Sequence, residues 1–252
     1  MTADKPATHL SDTPTDVSSD VVDEVRALDD AAATVDGRSA LSEQTWLRLR
    51  ADVRSGTLDV HVHQLVRDTH GDLLAYAQLA DHSAELVVHP EHRHRGIGTS
   101  IVTTLLERDP EVRIWSHAGH PDAAKLAEDA GLVTLRELWE MDRDLGAEHP
   151  LPELPTIPEG LTIRSFAPGH DDDAWVALNA AAFADHPEQG RITVDDLHAR
   201  MAEPWFDADD FFVAVDEPAD GDTADHDTAD DGRLVAFHWT KIEGGEIGRA
   251  HV

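Results

Sequence analysis

The segment Leu86-Val87-Val88-His89-Pro90-Glu91-His92-Arg93-His94-Arg95-Gly96-Ile97-Gly98-Thr99 constrains this chain most. An apolar strand stops at a proline. Six residues later a Gly-x-Gly turn opens a helix whose apolar stripe is Ile101, Val102, Leu105 and Leu106. Gly96 and Gly98 let the backbone approach a ligand closely. The helix start aims unpaired N–H groups and a positive dipole end at the same point. Such a turn suits a pyrophosphate. Arg93 and Arg95 add positive charge to a chain with 20 Lys and Arg against 51 Asp and Glu.

That balance, a formal net charge of -31, excludes function classes. Duplex binding needs a cationic surface to displace counterions, and an anionic membrane repels an acidic chain. No nucleic-acid or membrane partner is therefore expected. Without cysteine the chain has no disulfide, thiolate nucleophile or Cys-ligated zinc. No apolar run approaches about 18 residues, the length of a membrane span. The N-terminus has no apolar signal region, so a soluble cytoplasmic protein is expected.

The elements around the turn read as α/β, of the mixed α+β kind. Residues 1–19 are rich in Ser, Thr, Asp and Pro and read as a disordered lead. Helical spacing begins at Val21 and stops at Gly37; Ser42 reads as the cap of a second helix. Leu58, Val60 and Val62 alternate as a strand, with His61 and His63 on its other face. Strands follow at 73–78 and 84–89, then the helix to Arg108 and a strand at 112–115. A helix between Pro121 and Gly131 and a strand at 132–141 complete a domain of residues 20–144. Pro150, Pro152, Pro155 and Pro158 make 145–159 a semi-rigid linker. A second domain, 160–246, repeats the opening order: strand 161–166, helices 174–183 and 194–201, strands 211–215 and 234–239. Between those last strands, 216–232 holds eight acidic residues and no Lys or Arg. A cation-binding loop and a solvated insertion both fit it, the insertion better.

Arg93-x-x-Gly96-x-Gly98 behind Val87-Val88-His89-Pro90 resembles the acetyl-CoA motif of the GNAT N-acetyltransferase superfamily. The resemblance implies a strand splayed from its neighbour. Leu86, Val87 and Val88 would meet pantetheine, and Arg93, His94, Arg95, Gly96, Ile97 and Gly98 the pyrophosphate. No metal is implied.

Two such domains joined by a Pro-rich linker resemble the tandem-GNAT branch, which acetylates the cysteinyl amine of a sugar-inositol, Cys-GlcN-Ins. His186-Pro187-Glu188-Gln189-Gly190 and Phe237-His238-Trp239-Thr240-Lys241 are the specific runs. The acceptor-binding positions of that branch fall on Glu43, Glu188, Lys241 and Glu246, with Glu246 as the proton-accepting base. Carboxylates suit an ammonium, and Lys241 donates to hydroxyls. Plainer roles also fit: helix-dipole stabilisation for Glu43, a surface loop for Glu188, a solvated strand edge for Lys241. A monomer is expected. A non-catalytic acetyl-CoA-binding module and a GNAT acting on another amine are the alternatives.

Two departures stand out. Ala127 occupies the position where these transferases often place a tyrosine that protonates the CoA thiolate, so the first domain lacks that acid. The second domain also stops where its own cofactor motif would begin, leaving an incomplete GNAT fold. The final Ile247-Gly248-Arg249-Ala250-His251-Val252 resembles a translated sequencing-adaptor read-through, so 247–252 is expected to be a non-native tail. On that basis the chain is expected to bind acetyl-CoA and to be inactive as a truncated synthase. His61, His63, His89, His92 and His94 could also suggest a metal, but that needs further ligands converging on them.

Overall fold

The computed structural model describes residues 9–10, 20–117, 119–139, 148, 150, 152–185, 189–216, 232–243 and 246–249. The chain divides into two compact units, Met1–Glu140 and Met141–Val252. The family's mixed α/β arrangement is present, with helices laid on mostly antiparallel sheets.

Unit 1 runs β1 (His9–Leu10), α1 (Asp20–Asp36), α2 (Glu43–Ser55), β2 (His63–Arg67), β3 (Leu73–Ala80), β4 (Ser83–Val88), α3 (Ile97–Arg108), β5 (Arg113–Ile114) and α4 (Pro121–Asp129). Its sheet has the order β1-β2-β3-β4-β5; only the β4–β5 pair is parallel. Alternation along the strands serves two cores. Tyr76 and Val87 pack with Val25, Leu28 and Leu49 of α1 and α2. Ala75, Ala77 and Ala84 pack with Ile97, Ile101 and Leu105 of α3. Each buried Val, Leu or Ile contributes about 1.5–3 kcal/mol relative to exposure. Gly37, at φ 79°, ends α1, and the Ser42 hydroxyl caps α2 by accepting from Thr45 N.

Three sequence expectations need correction. Residues 9–10, read as part of a disordered lead, form an edge strand paired with β2 at Val66 and Arg67. Two residues are too short to show periodicity. Residues 58–62 are not a strand: β2 begins at His63, and His61 lies in a turn. The amides of Val62 and His63 donate to Asp59 O, so the segment closes into a turn and only Val62 O reaches β3. Residues 132–139 are likewise not a strand, and Val133, Leu135, Leu138 and Trp139 stand exposed. The two-residue β5 offers them no edge to extend. The rest of that expected strand, 140–141, lies outside the described residues, as do 145–147, 149 and 151 of the linker. The described linker residues 152–158 form neither helix nor strand.

Unit 2 runs β6 (Leu161–Ser165), α5 (Asp172–Ala182), α6 (Val194–Met201), β7 (Phe211–Asp216), β8 (Arg233–Glu243) and β9 (Glu246–Arg249). The sheet order is β6-β7-β8-β9, antiparallel throughout. β8 runs four residues past its expected end. Residues 247–249, set apart above as a tail, pair with β8 as part of β9. The interior is aromatic. Phe211 stacks between Phe166 and Trp239, each 4.4 Å away, and Trp175 meets Phe211 and Trp239 edge-on. Buried Asp171 ties β6 to α5, accepting from the Arg164 guanidinium at 2.6 and 2.9 Å and from the Ala167 amide at 2.8 Å. Residues 217–231, most of the acidic insertion, lie outside the described residues.

Candidate functional site

In unit 1, β4 and β5 part company early. They pair only at Ser83–Arg113 and Ala84–Ile114, and the last bond runs from Trp115 N to Ala84 O. On its other side β4 stays paired with β3 as far as Val88 opposite Ala75, and His89 N donates to Leu74 O. Alternation in an antiparallel ladder gives the peptide groups of 85 and 87 to β3 and turns those of 86 and 88 the other way. The Leu86 peptide and the Val88 N–H therefore line the open side of the splay. Val87 contributes no such group, and its side chain is buried against α1 and α2.

Beyond the strand, Pro90–His92 form a single 3₁₀ turn, and the chain turns into α3. Gly96, at φ 85°, sits at the N-cap and makes no side-chain cap. Among the described hydrogen bonds none uses the amides of His94 to Thr99 as donors. These six successive N–H groups lie at the turn where the sequence reading expects an anion, and amides left open at a helix start suit one.

The cationic residues divide differently from expectation. The Arg93 guanidinium donates to both oxygens of Asp36 at 2.8 and 2.7 Å, and its Nε donates to Val88 O at 3.2 Å. The Asp36 partner raises the Arg93 pKa, and Arg93 in turn lowers that of Asp36. Arg93 is thus committed to fastening the turn to the end of α1. Exposed Arg95 donates to Glu91 O at 2.9 Å. His94, at φ 57°, pairs with Asp122 of α4 at 3.3 Å. Gly98 has a packing role: a Cβ there would lie 3.2 Å from Leu126 of α4, whereas one on Gly96 would meet open space. Nearby, α3 and α4 enclose a cavity of about 290 Å³ lined by Thr99, Val102, Leu106, Leu126 and Ala130.

The site contains residues that the sequence reading passed over. Glu85 is the first residue after the last β4–β5 pair and is buried. It accepts from the Ser42 amide at 2.7 Å and from His117 Nε2 at 2.7 Å. Burial alone would raise its pKa, but His117, the Ser42 amide and Thr45 outweigh this and hold the carboxyl below its ordinary range. In register beside it lie buried Gln78 and His63. His63 bonds Tyr76 Oη and Asp52 at 2.8 Å each, and Gln78 Nε2 donates to Tyr76 Oη and Thr45 O. Burial lowers the His63 pKa despite Asp52, and raises that of Tyr76. A buried acidic residue inside an otherwise apolar strand was the legible clue to Glu85.

Of the acceptor candidates, Glu43 opens α2, next to Ser42, and is half-buried. In unit 2, Lys241 lies within β8, not at its end, with Nζ 4.9 Å from the centre of the Trp205 ring. Glu188 lies outside the described residues. Glu246 begins β9 opposite Glu243. The metal-competent atoms of His89, Glu91 and His92 lie within 4.8 Å of one another. However, His89 Nδ1 accepts from Glu91 N, and Arg95 approaches His92 Nδ1 at 3.4 Å.

The acetyltransferase (GNAT) family profile matches residues 28–131, the span holding the splay and the cradle. Along nearly the whole chain the fold is similar to a GCN5-related N-acetyltransferase from Sphaerobacter thermophilus, with a TM-score of 0.56 at 21% identity, covering 98% of this chain and 75% of that one. This is the arrangement of a GNAT acetyltransferase. Sequence comparison narrows the class. The chain is 43% identical over 247 residues to the mycothiol acetyltransferase of Streptomyces bingchenggensis, covering 94% of this chain and 74% of that protein. It is 46% identical over 236 residues to that of Streptomyces avermitilis, covering 90% and 70%. The chain belongs to the mycothiol acetyltransferase family of GNAT enzymes.

Proposed function

We propose that the protein is an acetyltransferase moving acetyl from acetyl-CoA to the cysteinyl amine of Cys-GlcN-Ins, the mycothiol precursor; the inactivity expected of this chain from its sequence is the other outcome of the assay below. One observation carries the reading: a chain 43–46% identical to mycothiol acetyltransferases holds an open β4 edge leading into six unpaired amides. The Leu86 peptide and the Val88 N–H would pair with the pantetheine amides. The amides of 94–99, with exposed Arg95 beside them, would take the pyrophosphate. Arg93 would act indirectly, through Asp36, by holding the turn. Glu43, Glu188, Lys241 and Glu246 are the proposed acceptor contacts. Glu246 is the proposed base, taking a proton from the ammonium through water before the amine attacks the thioester.

The net charge of -31 favours a cationic small-molecule acceptor and disfavours nucleic acid or an anionic membrane. No helix among the described residues is long and apolar enough to cross a membrane. We read the protein as a cytoplasmic monomer organised as two GNAT-like halves joined by the 145–159 linker.

The test is acetylation of Cys-GlcN-Ins followed by mass spectrometry, alongside calorimetry with acetyl-CoA. A 42-Da gain on the acceptor is expected at about the mass of one acetyl group. Binding of acetyl-CoA that is unchanged by both Arg95→Ala and Gly96→Val would place the donor elsewhere.

A further inference from the structure

We propose that His117, oriented by Glu85, is a proton-transferring catalytic residue of unit 1, giving that half its own acetyl transfer to a primary amine. The inference rests on the donor-site reading above.

Glu85 is the first residue of β4 beyond its last pair with β5, and its carboxylate reaches His117 on the β5 side of the opening. The carboxylate is held from two sides, by the Ser42 amide and by His117 Nε2. An ionised carboxylate only accepts hydrogen bonds, so Nε2 must carry the imidazole proton. In the neutral imidazole the lone pair is then on Nδ1, for which no hydrogen bond is described. The ring is 27% exposed, whereas Glu85 is 7% exposed. A buried carboxylate fixing the tautomer of a reachable imidazole is the arrangement by which hydrolases orient a general base.

Hydrogen bonds tie the surroundings together. Asp29, buried at 4%, accepts from Ser39 Oγ at 2.5 Å and from the Ala40 amide at 2.9 Å, setting the loop that delivers Ser42. Arg38 of the same loop donates to His117 O. The ring of His117 stacks on Trp115 with centroids 6.2 Å apart. Half-buried Glu43, one residue past Ser42, gives the same corner a carboxylate suited to an ammonium.

The step balances. The neutral amine attacks the acetyl carbonyl and forms the C–N bond, and His117 Nδ1 takes a proton from that nitrogen. The C–S bond breaks, and the imidazolium returns the proton to the CoA thiolate. One residue thereby serves as base and acid where Ala127 offers neither.

The probe is S-methyl-L-cysteinamide, a cysteinyl amine with its thiol blocked, supplied with acetyl-CoA to the full chain. The protein has no cysteine, so a thiol reagent counts only released CoA. Amine-dependent CoA release is expected, with acetylated product in equal amount. His117→Ala should lower kcat at least about 100-fold and regain rate with added imidazole. His117→Asn should be similarly slow. Glu85→Gln should lower kcat while leaving the KM for acetyl-CoA unchanged. Calorimetry on each variant keeps the two readings apart. A chain that binds acetyl-CoA without amine-dependent release overturns the proposal and spares the donor site. His117 variants with undiminished rates, or a slow His117→Ala that imidazole does not restore, overturn it equally. Absence of acetyl-CoA binding removes both.

Discussion

The two units share one wiring and differ in what fills it. Each runs strand, two helices and three strands, with successive strands antiparallel neighbours: β1-α1-α2-β2-β3-β4 and β6-α5-α6-β7-β8-β9. Inside unit 1 the face under α1 and α2 carries a row of buried polar groups, His63, Gln78 and Glu85, placed in register across three strands. Inside unit 2 the corresponding space holds Trp175, Phe211, Phe237 and Trp239. All six phenylalanines of the chain fall in unit 2. A topology can thus be kept while one copy uses its interior for hydrogen bonding and the other for packing. Buried polar rows must be fully paired to be tolerated, so they specify geometry. Aromatic clusters give more area and ask less of exact partners.

The largest effect expected from breaking this comparison is in unit 2. Trp239→Ala should cost about 3–5 kcal/mol, the usual range for a buried aromatic truncated to Ala. Calorimetric unfolding should show a lowered transition that carries the near-ultraviolet signal. In unit 1, Tyr76→Phe deletes one hydroxyl but leaves His63 Nδ1 and Gln78 Nε2 without their shared partner. A cost of about 1–3 kcal/mol is expected. Equal and negligible costs at both positions would erase the distinction drawn between the cores.

Acid acts on paired carboxylates in both units. Burial by itself would raise Asp171, yet Arg164, the Ala167 amide and His170 hold it at about 2. Its folded value lies below the unfolded value of about 3.9, so its contribution is full above that pH. The contribution, about 2–3 kcal/mol, is lost as pH falls from about 4 to 2. Asp29 in unit 1 goes the other way: burial raises it, so protonation relieves a cost. Asp36 and Glu85 of unit 1, both held low, and His63, lowered by burial, lose stability in the same direction, so acid weakens both units. Tryptophan emission and near-ultraviolet dichroism between pH 5 and 2 follow the loss, and Arg164→Ala should shift the acid midpoint of unit 2 upward.

The smallest effect concerns the turn. Asp36→Ala removes the partner of Arg93 without touching the cradle amides. Acetyl-CoA binding should weaken roughly 10-fold, in line with the 1.4 kcal/mol that a charge-assisted pair commonly contributes. Gly98→Val would not isolate the cradle, since its side chain strikes Leu126.

Most of the fold around the turn could be read from the sequence because each signal was local. Gly37 at φ 79°, the Ser42 cap and the stripe of α3 each lie within one element. The same reading overcalled strands at 58–62, which closes into a turn on Asp59, and at 132–139, where alternation is present without ladder pairing. It missed β1, whose two residues exist as a strand only through β2. For the site, 86–98 was legible as a strand, turn and helix start, but roles that depend on distant partners could not be read. Arg93 looked like a phosphate ligand until Asp36, 57 positions away, claimed it. The role of Gly98 is set by α4, and Glu85 gains meaning only through His117 and Ser42.

The central claim is that donor recognition belongs to the β4 edge and the turn of unit 1. Amide hydrogen exchange on the full chain, with and without acetyl-CoA, tests it directly. Added acetyl-CoA should slow exchange at Leu86, Val88 and residues 94–99 while leaving β7 and β8 unchanged. Protection confined to β8 and β9, with residues 86–99 exchanging as before, would contradict it.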